Sequence, residues 1–315
     1  MFVLAPSILS LLIFLIAFSA SSKLFSFDGA PGESQVSRGL YLAKVAGCIS
    51  CHTDTVNNSN ILGGGREIKS PYGSFFSPNI TPDLKNGIGN WTNKDFIKAV
   101  RYGIRPKGGF YYPVFPYTSY KSMSDRDILD IKSWIEAQKP LSEPNKPHQI
   151  SFPASWRNML GPWRWLFFDE ESTRFDFLPD NLARGAYLVE ALGHCGECHT
   201  PRNMFGAQKS KKLLAGSRYG PSGNLMPNIS PDKITGIGKW TESELVFFLK
   251  TGLKPNGDYV NNEMAEIIQN SLQHLSDYDI RSISSYLNRI KPFYNNVRVR
   301  PKNMSIEQTI ENWWD

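Results

Sequence analysis

Apolar positions in this chain fall into short helical stripes separated by long polar loops. Val36, Leu40 and Val45 recur near helical spacing over residues 35–46, and Gly47 is placed to stop that helix just before Cys48. Thr92 with Asp95, and Thr241 with Glu244, have the spacing of N-caps followed by an acidic residue three positions on, and Gly103 and Gly252 are the matching stops. Ser124 and Ser276 open two further helices, whose apolar faces are Ile128, Ile131, Trp134 and Ile135, and Ile280, Ile283, Tyr286 and Leu287. No alternating segments suggest paired strands. The pattern predicts an all-α fold with loops longer than a compact domain tolerates unless something fills its centre.

The pattern also occurs twice. RGLYLAKVAGCISCHT at 38–53 returns as RGAYLVEALGHCGECHT at 184–200, and PNITPDLKNGIGNW at 78–91 returns as PNISPDKITGIGKW at 227–240. WTNKDFIKAVRYGI matches WTESELVFFLKTGL, and MSDRDILDIKSWI matches LSDYDIRSISSYL, in the same order. Two domains of one plan are therefore expected, at 34–140 and 178–291, with a tail at 292–315. The connection, residues 141–177, is rich in Pro and aromatics (Trp156, Trp163, Trp165, Phe167, Phe168), too sticky for a flexible linker. It should pack between the domains and fix their orientation.

With 315 residues, 41% hydrophobic and 20% charged, each half can bury its own core. The net charge of +6 comes without a long Lys/Arg run or a nucleic-acid motif, so it describes a solvated basic surface and no nucleic-acid partner. No charged side chain precedes Lys23, and the apolar run Ile8–Phe18 with small residues Ala17, Ser19 and Ala20 reads as an export signal. Segment 1–22 is expected to be a signal peptide, or an N-terminal anchor that associates with a membrane. Either places the protein in the periplasm.

All four cysteines lie in two CxxCH motifs, Cys48-Ile49-Ser50-Cys51-His52 and Cys195-Gly196-Glu197-Cys198-His199. Two thiols a helical turn apart can add to two vinyl groups on one porphyrin edge, with the next His held under the iron, so two covalently bound haem c are expected. A zinc ribbon needs its second pair much closer, and a thioredoxin-type dithiol needs a βαβ setting. A second axial ligand is expected on each iron. In the first half Met123 is preferred over His148; in the second, Met264 is preferred over Met204, Met226 and Met304, although Leu275 is the residue aligned with Met123. His52 and His199 complete the expected iron ligands. In the repeated loop, Trp91 and Trp240 can donate to a haem propionate, Asn79 and Asn228 can hold the loop or a carboxylate, and the carbonyls of Pro78 and Pro227 can fix the proximal histidines. No catalytic residue is assigned.

RGLYLAKVAGCISCHT, SPNITPDLKNGIGNW, YYPVFPYTSYKSMSD, RGAYLVEALGHCGECHT and MAEIIQNSLQHLSDYDI together resemble the cytochrome c subunits of bacterial membrane-bound alcohol, gluconate and related sugar dehydrogenases, over roughly residues 35–290. The resemblance implies tandem class I cytochrome c domains, His/Met haems, and transfer of electrons from a periplasmic dehydrogenase subunit toward the quinone pool or a terminal oxidase. Those subunits typically carry three CxxCH motifs and this sequence has two. Where many relatives have Met, this chain has Phe115; in relatives with Phe there, a Met at the place of Met123 is common. The rival class is a dihaem redox enzyme such as a peroxidase, which would need one iron with a displaceable ligand.

Overall fold

The computed structural model describes residues 34–298 apart from positions 58, 172, 174, 221, 222 and 261. The expected signal or anchor at 1–22, and tail residues 299–315 with Met304, lie outside the described residues.

The described chain is mostly helical. α1 (Gln35–Val45) starts where the Ser34 hydroxyl accepts the Ser37 amide, and Gly47, at φ 70°, turns the chain directly into the one-turn α2 (Cys48–His52). α3 (Asn93–Tyr102) carries a capping box between Thr92 and Asp95 and stops at Gly103 in the left-handed region. α4 (Tyr117–Tyr120) is a single turn, and α5 (Asp125–Glu136) opens at the Ser124 cap. α6 (Leu160–Phe167) belongs to the connecting segment. α7 (Asp180–Ala186) and the short α8 (Gly196–His199) follow, then α9 (Glu242–Thr251) with a Thr241/Glu244 capping box, α10 (Asn262–Asn270) and α11 (Asp277–Leu287).

α1 packs on α5, and α7 packs on α11. Both crossings need a glycine. A Cβ on Gly39 would lie 1.9 Å from the Asp130 carbonyl oxygen, and one on Gly185 would lie 2.1 Å from that of Ser282. The halves also touch each other: Tyr41 of α1 donates to Asp279 of α11, and Tyr187 donates to Asp127 of α5.

Two features depart from the sequence expectation. The first is a three-stranded antiparallel sheet, β1 (Glu67–Ser70), β2 (Gly73–Phe76) and β3 (Gln149–Ile150). Strands of two to four residues are too short for alternation to register, and β3 comes from the Pro-rich connection, which thereby pairs with the first half. The second lies in the connection itself. Arg164, Phe168 and Leu160 turn inward, Trp163 donates to the Phe205 carbonyl at 2.9 Å, and Phe167 stacks on Phe205. Trp156 and Trp165, expected to pack, instead face solvent, Trp165 with 85% of its surface exposed.

After α7 the chain does not repeat α1. From Arg38 to Cys48 is ten residues, whereas from Arg184 to Cys195 is eleven. The extra residue is absorbed by a wider π-helical stretch, Tyr187–Leu192, closed by Gly193 N–H to the Leu188 carbonyl at 2.7 Å.

Candidate functional site

Each CxxCH lies at a one-turn helix. In the first, the Cys51 amide bonds the Gly47 carbonyl at 2.9 Å; in the second, the His199 amide bonds that of Cys195 at 3.0 Å. Both turns set the two thiols of a pair a helical turn apart, with the histidine next. Burial pushes the Cys48 and Cys195 thiols up to about 12 and that of Cys198 up to about 11. A redox-active dithiol needs the opposite shift, because the thiolate is its nucleophile.

His52 and His199 are both held by the loop that occurs twice. Each Nδ1 lies 2.8 Å from a carbonyl, of Pro78 and Pro227 respectively. A carbonyl can only accept, so Nδ1 carries the hydrogen and Nε2 keeps its lone pair for a metal. Burial lowers both imidazoles' affinity for a second proton, which favours the same neutral form.

The clamp has a second jaw that sequence reasoning missed. The Gly64 amide bonds the His52 carbonyl at 2.8 Å, and the Gly216 amide bonds that of His199 at 2.7 Å. Both glycines have positive φ (77° and 82°), and a Cβ on either would lie within 2.5 Å of the backbone at Pro78–Asn79 or at Asn228. Gly64 stands in the run LGGGR and Gly216 in LAGSR, but what leaves no room for a side chain there is the distant PNI segment.

Asn79 and Asn228 hold the loop. The Asn79 amide oxygen accepts Thr81 N–H at 2.9 Å while its nitrogen donates to the Leu141 carbonyl at 2.7 Å; Asn228 does the same with Ser230 and Phe293, at 2.9 and 2.7 Å. Each loop is thus stitched to the segment leaving its own half. Trp91 and Trp240 close these loops, half-buried against Phe96 and Phe248.

Met123 is wholly buried in the same apolar cluster as Leu42, Ile88, Phe96 and Ile128. His148 lies elsewhere, its Nδ1 accepting the Phe76 amide and its ring edge-on to Phe75 and Tyr112. Met264 stands on α10, half-buried against the same main cluster. Met226 is buried under Gly220, and Met204 is 56% exposed.

The two motifs adjoin. Glu197, inside the second CxxCH, accepts Thr118 at 2.8 Å and Ser119 at 2.9 Å from the turn that precedes Met123, and pairs with Arg202 at 2.5 Å. Although burial alone would raise its carboxyl, Arg202 and these donors hold it below the usual carboxylate range. No local pattern announces this contact, because the partners are nearly eighty positions apart.

Thiol pairs a turn apart, each followed by a histidine with a bare Nε2, fit the attachment of haem c, and a mostly helical chain with two such sites is of the c-type cytochrome class. The chain is 38% identical to a protein named "diheme cytochrome c-type" from Cereibacter sphaeroides, covering 84% of this chain and 88% of that one. It is 41% identical to the cytochrome c subunit of the quinone alcohol dehydrogenase of Gluconobacter oxydans, over 81% of this chain and 54% of that one. It is 36% identical to the gluconate 2-dehydrogenase cytochrome c subunit of Pantoea cypripedii, over 89% and 64%. No family model matches the chain. The protein belongs to the family of dihaem c-type cytochromes and dehydrogenase cytochrome c subunits. It spans most of the dihaem relative and about half of the alcohol dehydrogenase subunit.

Proposed function

We propose that the protein is an exported dihaem electron carrier, built as two tandem class I cytochrome c domains at 34–140 and 178–291 joined by the aromatic connection 141–177. Cys48 and Cys51 would hold one haem c and Cys195 and Cys198 the other, with His52 and His199 as proximal ligands and Met123 and Met264 as distal ones. When bound, haem supplies one-electron Fe(II)/Fe(III) chemistry. The chain's own part is to orient it: the Pro78 and Pro227 carbonyls fix each imidazole, and the buried apolar shell around Met123 excludes water from that side. Its partners would be a periplasmic dehydrogenase subunit as donor and the quinone pool or a terminal oxidase as acceptor, with segment 1–22 directing export or holding the chain at the membrane.

The observation that carries this reading is the twofold occurrence of a CxxCH histidine whose Nδ1 is committed to a carbonyl. The test is the holoprotein's spectrum. A pyridine haemochrome should report two haem c per chain, and the oxidised protein should show the weak far-red band of Met–Fe(III) ligation, reduced in Met123→Leu and again in Met264→Leu. A high-spin ferric haem that binds peroxide would instead make it an enzyme.

A further inference from the structure

The second attachment motif differs from the first by one residue, and that residue is His194. It is the insertion that forces the π-helical stretch Tyr187–Leu192, and it stands at φ 40°, a left-handed conformation that a side chain with a Cβ rarely adopts. Widened helical turns and such backbone outliers persist where the surroundings over-determine them, often at functional sites. The surroundings here belong to the other half. The imidazole faces the Ala46 carbonyl, which is also the acceptor of the Tyr120 hydroxyl. Its ring stands edge-on to Tyr120 at 5.5 Å, and it flanks Gly47, the residue immediately before Cys48.

We propose that His194 is a positioning residue that docks the second attachment motif onto the first and so sets how the two haem groups face each other. This rests on the dihaem reading above. Glu197 assists from the same motif, gripping Thr118 and Ser119, so residues 194 and 197 straddle Cys195 and both reach across to the first half. The first motif reaches across differently: Gly47 occupies the place before Cys48, and the Ser50 carbonyl accepts Arg66, which itself pairs with Glu266 of the second half.

The experiment uses the holoprotein and reads two quantities. Haem content by pyridine haemochrome tests the dihaem reading; a chain carrying fewer than two haems in the wild type overturns that reading and not the docking. Soret circular dichroism then reads the mutual orientation of two neighbouring haems as a bisignate couplet. The wild type is expected to show the couplet, His194→Gly to lose most of it while keeping both haems, and His194→Asn, which tolerates the left-handed turn and retains an N–H donor, to restore it. Glycine relieves the backbone at this position, so a role confined to stability would leave the couplet intact or stronger. Should the glycine variant fail to fold, His194→Ala serves, with the same loss expected. In protein that carries both haems, no couplet in the wild type, or a couplet unchanged in the folded glycine or alanine variant, overturns the proposal.

Discussion

Arg184 and Asp279 keep only 3% and 0% of their side-chain surface and meet at 2.7 Å, and Arg38 and Asp127 repeat the pair at 2.9 Å in the first half. A buried ion pair adds little over an apolar pair, but breaking it from one side strands a charge. Asp279→Asn should therefore cost about 3–5 kcal/mol, seen as a fall in the urea midpoint. Gly64→Ala should also destabilise, by about 1–3 kcal/mol for the forced backbone, because its Cβ would meet the Pro78 backbone at 2.4 Å; the same variant should loosen His52 and lower haem incorporation. What is legible in the sequence at this scale is the spacing of each CxxCH motif. CxxCH is fixed by the spacing of its own atoms and can be read anywhere. Gly64, Glu197 and His194 act through residues of distant segments, and no local pattern announces a contact that the fold creates.

Helix ends were equally legible, for the same reason of locality. Thr92/Asp95 and Thr241/Glu244 form capping boxes that close within four residues. Thr92→Ala and Thr241→Ala should each cost about 1 kcal/mol, measured by thermal unfolding. Their acid behaviour follows from the same bonds. The Thr92 hydroxyl and amide hold Asp95 below the usual carboxylate range, and the Thr241 amide and hydroxyl do so for Glu244. A folded value depressed below the unfolded one stabilises above the unfolded value, roughly pH 4, and that contribution disappears as pH falls through the folded value. The wild type should thus lose part of its stability between about pH 4 and the depressed values, and the two alanine variants should lose less over that interval. The strands were not legible, because Glu67–Ser70 and Gly73–Phe76 are short and β3 is recruited from a segment whose Pro content argues against pairing. The π-helical stretch could have been suspected from the one-residue difference between RGLYLAKVAGC and RGAYLVEALGHC, since an insertion inside a packed helix must widen a turn or shift every side chain beyond it.

At the scale of the whole molecule, the repeat supplies the glue between its own halves. Tyr41 reaches Asp279 at 2.5 Å, and Tyr187 reaches Asp127 at 2.5 Å, so each half's Arg–Asp pair receives a phenol from the other half's RGxY segment. The arrangement is isologous: one surface, present twice, is complementary to itself. Burial and the facing carboxylate push both phenols above their ordinary value, so they remain donors across the physiological range. On sequence alone, the aromatic connection is expected to fix the halves. Trp163 and Phe167 do touch Phe205, and charge-assisted contacts join the halves elsewhere: Tyr41 with Asp279, Tyr187 with Asp127, Glu197 with Thr118 and Ser119, and Arg66 with Glu266. Each hydrogen bond to a buried carboxylate is worth about 1.5–3 kcal/mol, and two such sites on separate helix pairs should act nearly independently. Tyr41→Phe and Tyr187→Phe keep the rings and remove only the hydroxyls. The single variants should shift the urea midpoint of the holoprotein downward with one cooperative transition retained. The double variant should lower the midpoint further, by about the sum of the two single shifts and still in one transition, because one apolar cluster runs through both halves and Glu197 and Arg66 still reach across. A double variant that keeps the wild-type midpoint would show that the two phenols add nothing to the hold between the halves.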